Sequence, residues 1–176
     1  MARTGTTSLD DVNSMTGGFT RLTEDQQMDL LLGACSSTVW ARRVLAGGPF
    51  RDVGALLERA DRVLAELPDG EIDAALDGHP RIGAEVDNAS SAREQAAVLA
   101  AADSVKAELA AKNAEYDQRF GYVYLVCADG RSAEELLAIL TDRLHNDPET
   151  ERRVMRSELA KINRLRLARL LSEPPT

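Results

Sequence analysis

The strongest constraint on the fold is a series of apolar stripes at helical spacing, each bounded by residues that start or stop helices. The clearest stripe runs from Val53 to Leu67, with apolar residues every three or four positions, and ends before Pro68. Aromatic residues make up only 4% of the chain, so aliphatic residues must build the core. Leu and Ala lose little conformational freedom in helices. The pattern therefore predicts an all-α fold.

Capping boxes mark several helix starts, because a Ser or Thr is followed three residues later by Glu or Gln. They are Thr23 with Gln26, Ser91 with Glu94, and Ser132 with Glu135. The box at Ser91 predicts one long helix through about Tyr116. Asp147 and Pro148 provide an N-cap and a first-turn proline for a last helix reaching about Leu171.

The pattern as a whole predicts a single-domain bundle of about seven or eight helices. Residues 1–20 are rich in Thr, Ser, Gly and Asp and predict an irregular lead-in, followed by a helical domain over 21–171 and a tail over 172–176. The stretch 121–128 is β-like. Since a lone strand has no partner for its edges, we expect a short extended apolar segment there.

Composition and motifs exclude several classes of protein. A formal net charge of −8 argues against nucleic acid as a partner, because phosphate binding needs clustered positive charge. No apolar run is long enough for a membrane helix, and no signal peptide opens the chain, so we expect a cytoplasmic protein. Phosphate-loop, dinucleotide and metal-binding motifs are missing. Any chemistry is therefore expected to use no metal and no cofactor.

The first candidate for chemistry is His79, in the turn Gly78-His79-Pro80. The following proline favours an extended backbone at the histidine, so its ring projects from a turn. Histidine titrates near neutral pH and is suited to proton transfer. The alternative is a turn histidine that only caps the preceding short helix.

Glu94 is the second candidate, because it heads the apolar stripe that continues four residues later at Val98. A carboxylate on an inward helix face needs a partner or a function. The alternative is that Glu94 only completes the capping box with Ser91.

Arg166 is the third candidate, because it interrupts the core-facing stripe of the last helix. That stripe consists of Met155, Leu159, Ile162, Arg166 and Leu170. An inward arginine is costly unless it pairs with a carboxylate or binds an anion, although it can also extend along the apolar surface to water. Arg164 lies about 200° away around the helix and is expected to be solvated.

Two sequence motifs contain the first two candidates: Gly78-His79-Pro80-Arg81-Ile82-Gly83 and Ser91-Ala92-Arg93-Glu94-Gln95. These stretches resemble the HPRIG signature and the SxxEQ motif of one family, the 2-oxo-4-hydroxy-4-carboxy-5-ureidoimidazoline (OHCU) decarboxylases of uric acid degradation. Further stretches similar to this family are Asn113, Tyr116 and the run Phe120 to Ala128; Leu144 to Pro148 with Glu149 and Glu151; Lys161 to Leu167; and, more weakly, Trp40 and Pro49-Phe50.

The resemblance implies an all-α, cofactor-free homodimeric enzyme that converts OHCU into (S)-allantoin and CO₂. It implies that His79, Glu94 and Arg166 are catalytic. It further implies that the substrate is bound by Pro80, Ser91, Gln95 and the backbone of Tyr124, Leu125 and Val126. The span from His79 to Glu94 is shorter than the family's usual one, which affects the mouth of the pocket.

Two alternatives remain open at the level of sequence. The first is a related enzyme that acts on a different ureido or imidazoline compound. The second is a helical ligand-binding or interaction module that has the fold without the decarboxylase activity.

Overall fold

Helices dominate the computed structural model, which describes residues 18–77 and 96–172. Within these ranges there are eight helices and no strand, so the all-α prediction is confirmed. The helices are α1 Glu24–Ala34, α2 Thr38–Leu45, α3 Val53–Glu66, α4 Asp69–Leu76, α5 Ala96–Leu99, α6 Asp103–Phe120, α7 Ala133–Arg143 and α8 Pro148–Ser172. Residues 18–21 form a further helical turn. No helix of the described ranges is both long and apolar enough to cross a bilayer.

Contacts group the chain into two compact units. One, here called the terminal unit, combines the described residues of 1–68 with those of 163–176, and the other, the central unit, lies within 69–162. Helix α8 contributes its first part to the central unit and its last part to the terminal unit. The domain boundaries predicted at residues 21 and 171 stay predictions.

In the terminal unit, α2 packs against both α1 and α3. The indole N–H of Trp40 donates to the carbonyl of Ala60 at 3.0 Å, and Trp40 is fully buried. Helix α3 follows the predicted stripe: Asp52 caps its start by accepting from the N–H of Ala55, and the helix ends before Pro68. The stripe's buried members are Val53, Leu56, Leu57, Ala60, Val63 and Leu64.

In the central unit, α6 packs against α7 around an aromatic core. The ring centroids of Tyr116 and Tyr124 lie 5.2 Å apart in an edge-on arrangement, which is a favourable aromatic geometry. Leu109, Leu136 and Leu140 complete this core and are fully buried.

The predicted extended segment is confirmed. Residues 123–128 have neither helical nor strand structure, and Tyr124, Leu125 and Val126 within them are buried. The segment follows Gly121, which ends α6 with a φ of 79°. A residue with a side chain is strained at that φ, whereas glycine adopts it readily. Gly121 therefore ends α6, and the segment begins two residues later.

The predicted long helix from Ser91 to Tyr116 is wrong within the described residues. Helix α5 ends at Leu99, Ala102 has an extended backbone with φ −62° and ψ 148°, and α6 begins only at Asp103. Alanine is the best helix former, so local propensity gives no sign of this break. The negative charge of Asp103 favours a helix N-terminus. The Ser91 capping box itself lies outside the described residues.

The two other capping boxes are confirmed. At Thr23 and at Ser132, the side chain accepts from the N–H three residues later, and the Gln26 or Glu135 side chain accepts from the N-cap N–H. The Asp147 carboxylate also accepts from the N–H of Thr150, three residues on, as predicted for the start of α8.

We expect Ser132→Ala to lower the free energy of unfolding by about 1 kcal/mol, because the cap of α7 then leaves a backbone N–H without its acceptor. Ser157→Ala is the matched control, since Ser157 is exposed within α8. Chemical denaturation of both variants checks the prediction. A Ser132→Ala variant no less stable than Ser157→Ala would contradict it.

Candidate active site

The structure describes four of the predicted site residues. Arg166 lies on α8 in the terminal unit, and Tyr124, Leu125 and Val126 lie in the extended segment of the central unit. The other five predicted site residues fall outside the described residues: His79, Pro80, Ser91, Glu94 and Gln95.

The predicted register of α8 is confirmed. Arg164 is exposed and pairs with Asp61, its Nη1 lying 2.5 Å from the carboxylate Oδ2. Arg166 is half-buried, and three stripe members before it, Met155, Leu159 and Ile162, are buried. Of these two arginines, Arg166 is therefore the more buried.

Close to Arg166, the terminal unit contains a buried thiol and a buried amide. Burial raises the pKa of Cys35, although the Ser37 backbone, the nearby Asn163 amide and the charge of Arg166 act in the opposite direction. Cys35 is thus a neutral, free thiol. Asn163, three residues before Arg166, is also buried. Arg166, itself half-buried, therefore lies near two buried groups.

The extended segment is held at two backbone groups. The carbonyl of Leu125 accepts from Arg143 Nη1 at 2.7 Å, and the N–H of Cys127 donates to Glu158 Oε2 at 2.7 Å. The N–H groups of Tyr124, Leu125 and Val126 make no hydrogen bond to another residue of the described ranges. The predicted contact of these three backbone groups with a substrate stays a prediction.

Arg143 belongs to a buried polar cluster that sequence reasoning missed. Its Nε and Nη2 donate to Glu151 Oε1 at 2.8 and 2.5 Å, and Asn146 Nδ2 donates to Glu151 Oε2 at 2.8 Å. The Tyr116 hydroxyl also donates to Glu151 Oε1. Glu151 is completely buried. One feature of the sequence could have indicated that Arg143 is buried. Arg143 follows Leu136 and Leu140 at helical spacing, so it continues an apolar stripe of α7 as Arg166 does in α8.

Within the cluster, the positive charge of Arg143 is paired with the negative charge of Glu151. Burial lowers the pKa of Arg143, but the hydrogen bond and charge of Glu151 outweigh it, so the net pKa is raised and the guanidinium stays charged. The pKa of Tyr116 is raised well above its usual range, first by burial and then by its bond to Glu151. Tyr116 is therefore a neutral hydrogen-bond donor beside one ion pair.

Glu158 gives stability a dependence on pH. Burial raises its pKa, but hydrogen bonds from Lys161 and from the Cys127 N–H outweigh burial, and the net pKa lies below the ordinary 4.5. A lowered folded-state pKa contributes stability above the unfolded pKa and loses it as the pH falls through the folded pKa.

We therefore expect the stability difference between the native protein and Glu158→Gln to be largest above about pH 5 and to shrink towards about pH 3. Denaturant unfolding across this range measures the difference. Glu115→Gln, an exposed carboxylate on α6, is the control. A difference that stays constant or grows on acidification would rule out this role of the Glu158 carboxylate.

Two other features of the described residues lie apart from these groups. A cavity of about 580 Å³ in the terminal unit is lined by residues such as Phe19, Arg42 and Phe50 and by none of the four predicted site residues that the structure describes. No group of three or more His, Cys, Asp or Glu side chains within the described ranges is placed to hold a metal ion. Cys35 is buried as its apolar context suggests, and Cys127 is half-buried.

The sequence is similar to a bifunctional protein of uric acid degradation and to an OHCU decarboxylase. The bifunctional uric acid degradation protein TTL of Arabidopsis thaliana is 28% identical over 147 residues, which cover 79% of this chain and 45% of that protein. The 2-oxo-4-hydroxy-4-carboxy-5-ureidoimidazoline decarboxylase of Amia calva is 29% identical over 145 residues, covering 78% and 83%. The chain thus spans less than half of the bifunctional plant protein and most of the Amia protein.

Solved structures agree with the sequence comparison. A crystal structure of OHCU decarboxylase in the presence of (S)-allantoin superposes with a TM-score of 0.73 at 27% identity, covering 82% of this chain and 99% of the other. A crystal structure of (S)-allantoin synthase gives a TM-score of 0.69 at 16% identity, covering 88% and 53%, and supports the fold alone.

The family model for OHCU decarboxylase matches residues 20–168. This range contains all of the motifs on which the resemblance rests and every predicted site residue, described or not. The chain belongs to the OHCU decarboxylase family.

Proposed function

We propose that this protein decarboxylates OHCU to (S)-allantoin without a cofactor. The observation that carries the proposal is the family match over residues 20–168, a range that contains His79, Glu94 and Arg166. The homodimer and the cytoplasmic location implied by the resemblance stay predictions.

The chemistry suits a protein that offers only acid–base groups and hydrogen bonds. Loss of CO₂ leaves an electron pair on the carbon that carried it, and many enzymes use a cofactor to accept such electrons. In OHCU the conjugated C=N of the ring can accept them. The protein then has to orient the substrate and deliver one proton to one face of the ring, which positioned side chains can do.

Each predicted catalytic residue has a role in this scheme. His79 relays protons, first interacting with the substrate hydroxyl and then with the intermediate left after CO₂ is lost. The Glu94 carboxylate accepts hydrogen bonds from the ureido N–H groups. Arg166 binds a carboxylate or carbonyl oxygen in bidentate fashion. Pro80, Ser91 and Gln95 complete the pocket as substrate-binding residues.

Two features of the described residues support binding of the substrate. Arg166 is half-buried beside a neutral buried thiol, where an arginine's attraction for an anion is screened less by water. The backbone N–H groups of Tyr124 to Val126 have no partner among the described residues, and a substrate oxygen would supply one. Each feature, taken by itself, suits contact with an anionic or carbonyl oxygen of a substrate.

The experiment that tests the proposal follows the ultraviolet absorbance of freshly generated OHCU. Purified protein is expected to speed its decay well beyond the uncatalysed rate, in the absence of added metal or cofactor. Decay at the uncatalysed rate would reject the decarboxylase and favour a module that has the fold without the activity.

We expect Arg166→Ala to raise KM for OHCU about tenfold to a hundredfold, because a bidentate charged contact is lost. Arg164→Ala is the matched control: Arg164 is two residues away on the same helix, and it is exposed and paired with Asp61. Steady-state kinetics of the two variants decide the assignment. A steep rise in KM for Arg164→Ala alone would show that the assignment is reversed.

A further inference from the structure

Two side chains hold the backbone of the extended segment. Arg143 binds the carbonyl of Leu125, and Glu158 binds the N–H of Cys127, two residues later. The carbonyl of Leu125 and the N–H of Val126 belong to one trans peptide group, in which the C=O and the N–H point in opposite directions. The N–H of Val126 therefore points away from Arg143.

We propose that Arg143 and Glu158 are positioning residues, which hold the segment so that the Val126 N–H faces the substrate. This inference rests on the proposed function, in which the backbone of Tyr124 to Val126 binds OHCU. Neither side chain touches the substrate. Each acts through the backbone group it binds.

Arg143 is itself held rigidly. Its Nε and Nη2 donate to Glu151 while Nη1 donates to the carbonyl of Leu125, so one planar group joins a carboxylate and the segment. Its guanidinium also lies 4.8 Å from the ring centroid of Tyr124. A lysine carries a single ammonium on a flexible chain and cannot reproduce this fixed fork.

Both carboxylate oxygens of Glu158 accept a hydrogen bond. Lys161 Nζ donates to Oε1 at 2.6 Å, while Oε2 accepts from the Cys127 N–H. Glu151 and Glu158 are seven residues apart on α8, so they lie on one face of that helix. One helix face thus supports the segment twice: through Glu151 and Arg143 at Leu125, and directly through Glu158 at Cys127.

The test compares Glu158→Ala with Glu158→Gln, and adds Arg143→Lys. Glutamine keeps an oxygen that can accept from Cys127, whereas alanine does not. Leu56→Ala is the control for stability alone, because Leu56 is fully buried in the terminal unit and its truncation leaves a cavity. All variants are assayed at a temperature where circular dichroism shows them folded.

We expect kcat/KM for OHCU to fall about tenfold to a hundredfold in Glu158→Ala and Arg143→Lys, since small misplacements of binding groups cost this much. Glu158→Gln is expected to stay within about threefold of the native protein, and Leu56→Ala likewise. In ¹⁵N–¹H spectra, added (S)-allantoin is expected to shift the Val126 amide in the native protein and in Glu158→Gln, and much less in Glu158→Ala.

The outcomes separate this inference from the proposed function. If the native protein does not decarboxylate OHCU, the proposed function fails and this inference fails with it. If the native protein is active and Glu158→Ala matches Glu158→Gln in both kcat/KM and the Val126 shift, only the inference is overturned. Should Arg143→Lys not fold, the Glu158 pair still decides.

Discussion

Glu151→Ala is expected to lower the free energy of unfolding by about 3–5 kcal/mol, which removes much of the stability of an ordinary domain. Glu151 is completely buried and accepts from Arg143, Tyr116 and Asn146. Its removal leaves a buried guanidinium without a counter-charge and a buried hydroxyl without an acceptor. Both losses lower the free energy of unfolding.

The size of this effect comes from the broken pair rather than from the value of the pair itself. Two charges taken out of water lose their hydration, and their mutual attraction restores only part of that energy. Replacing both residues with apolar ones is therefore expected to cost less than the sum of the single changes. Arg143→Met combined with Glu151→Leu should be more stable than additivity predicts by about 0.5–3 kcal/mol.

Glu149→Ala is the matched control, because Glu149 has the same side chain two residues earlier in the first turn of α8 and is exposed. It is expected to cost at most about 1 kcal/mol through the helix dipole. Thermal unfolding followed by circular dichroism compares the two, with a loss of roughly 2–4 °C for each kcal/mol. Equal losses in both variants would contradict the account of the buried cluster.

His79→Ala is expected to lower kcat for OHCU by about 10²–10⁴-fold while leaving the helical circular dichroism unchanged. Removing a positioned proton-transfer group has an effect of this size. The sequence predicts a turn before Pro80 at this position rather than a helix core, so little stability is expected to depend on it. The variant therefore separates chemistry from folding.

His145→Ala is the control, since His145 is the other histidine of the chain. Its ring is exposed and its Nδ1 lies 2.9 Å from the carbonyl of Thr141 in the preceding turn. Its replacement is expected to leave kcat within about twofold of the native value. Full activity in His79→Ala would remove His79 from the mechanism.

Local signals in the sequence predicted much of the fold. The capping boxes at Thr23 and Ser132 gave the starts of α1 and α7, because a cap depends on residues only three positions apart. The glycine at 121 ends α6 where the apolar segment begins. By contrast, the break at Ala102 follows a run of alanines, and the only local sign of it is the negative charge of Asp103 in the first turn of α6.

For the candidate site, too, local sequence patterns predicted some features and not others. The periodicity of α8 distinguishes Arg166 from Arg164, because both positions belong to one helix. The pairing of Arg143 with Glu151 and Leu125 joins α7, α8 and the extended segment, and periodicity within one helix does not reveal such contacts. His79 and Glu94 were assigned from motifs, and their geometry lies outside the described residues.

The most direct test of the central claim is the handedness of the product. Spontaneous decay of OHCU lacks a chiral environment, whereas an enzyme that delivers the proton to one face gives one enantiomer. Circular dichroism of allantoin formed from fresh OHCU with the purified protein measures this. We expect (S)-allantoin in clear excess. Racemic allantoin would contradict the proposed enzymatic decarboxylation.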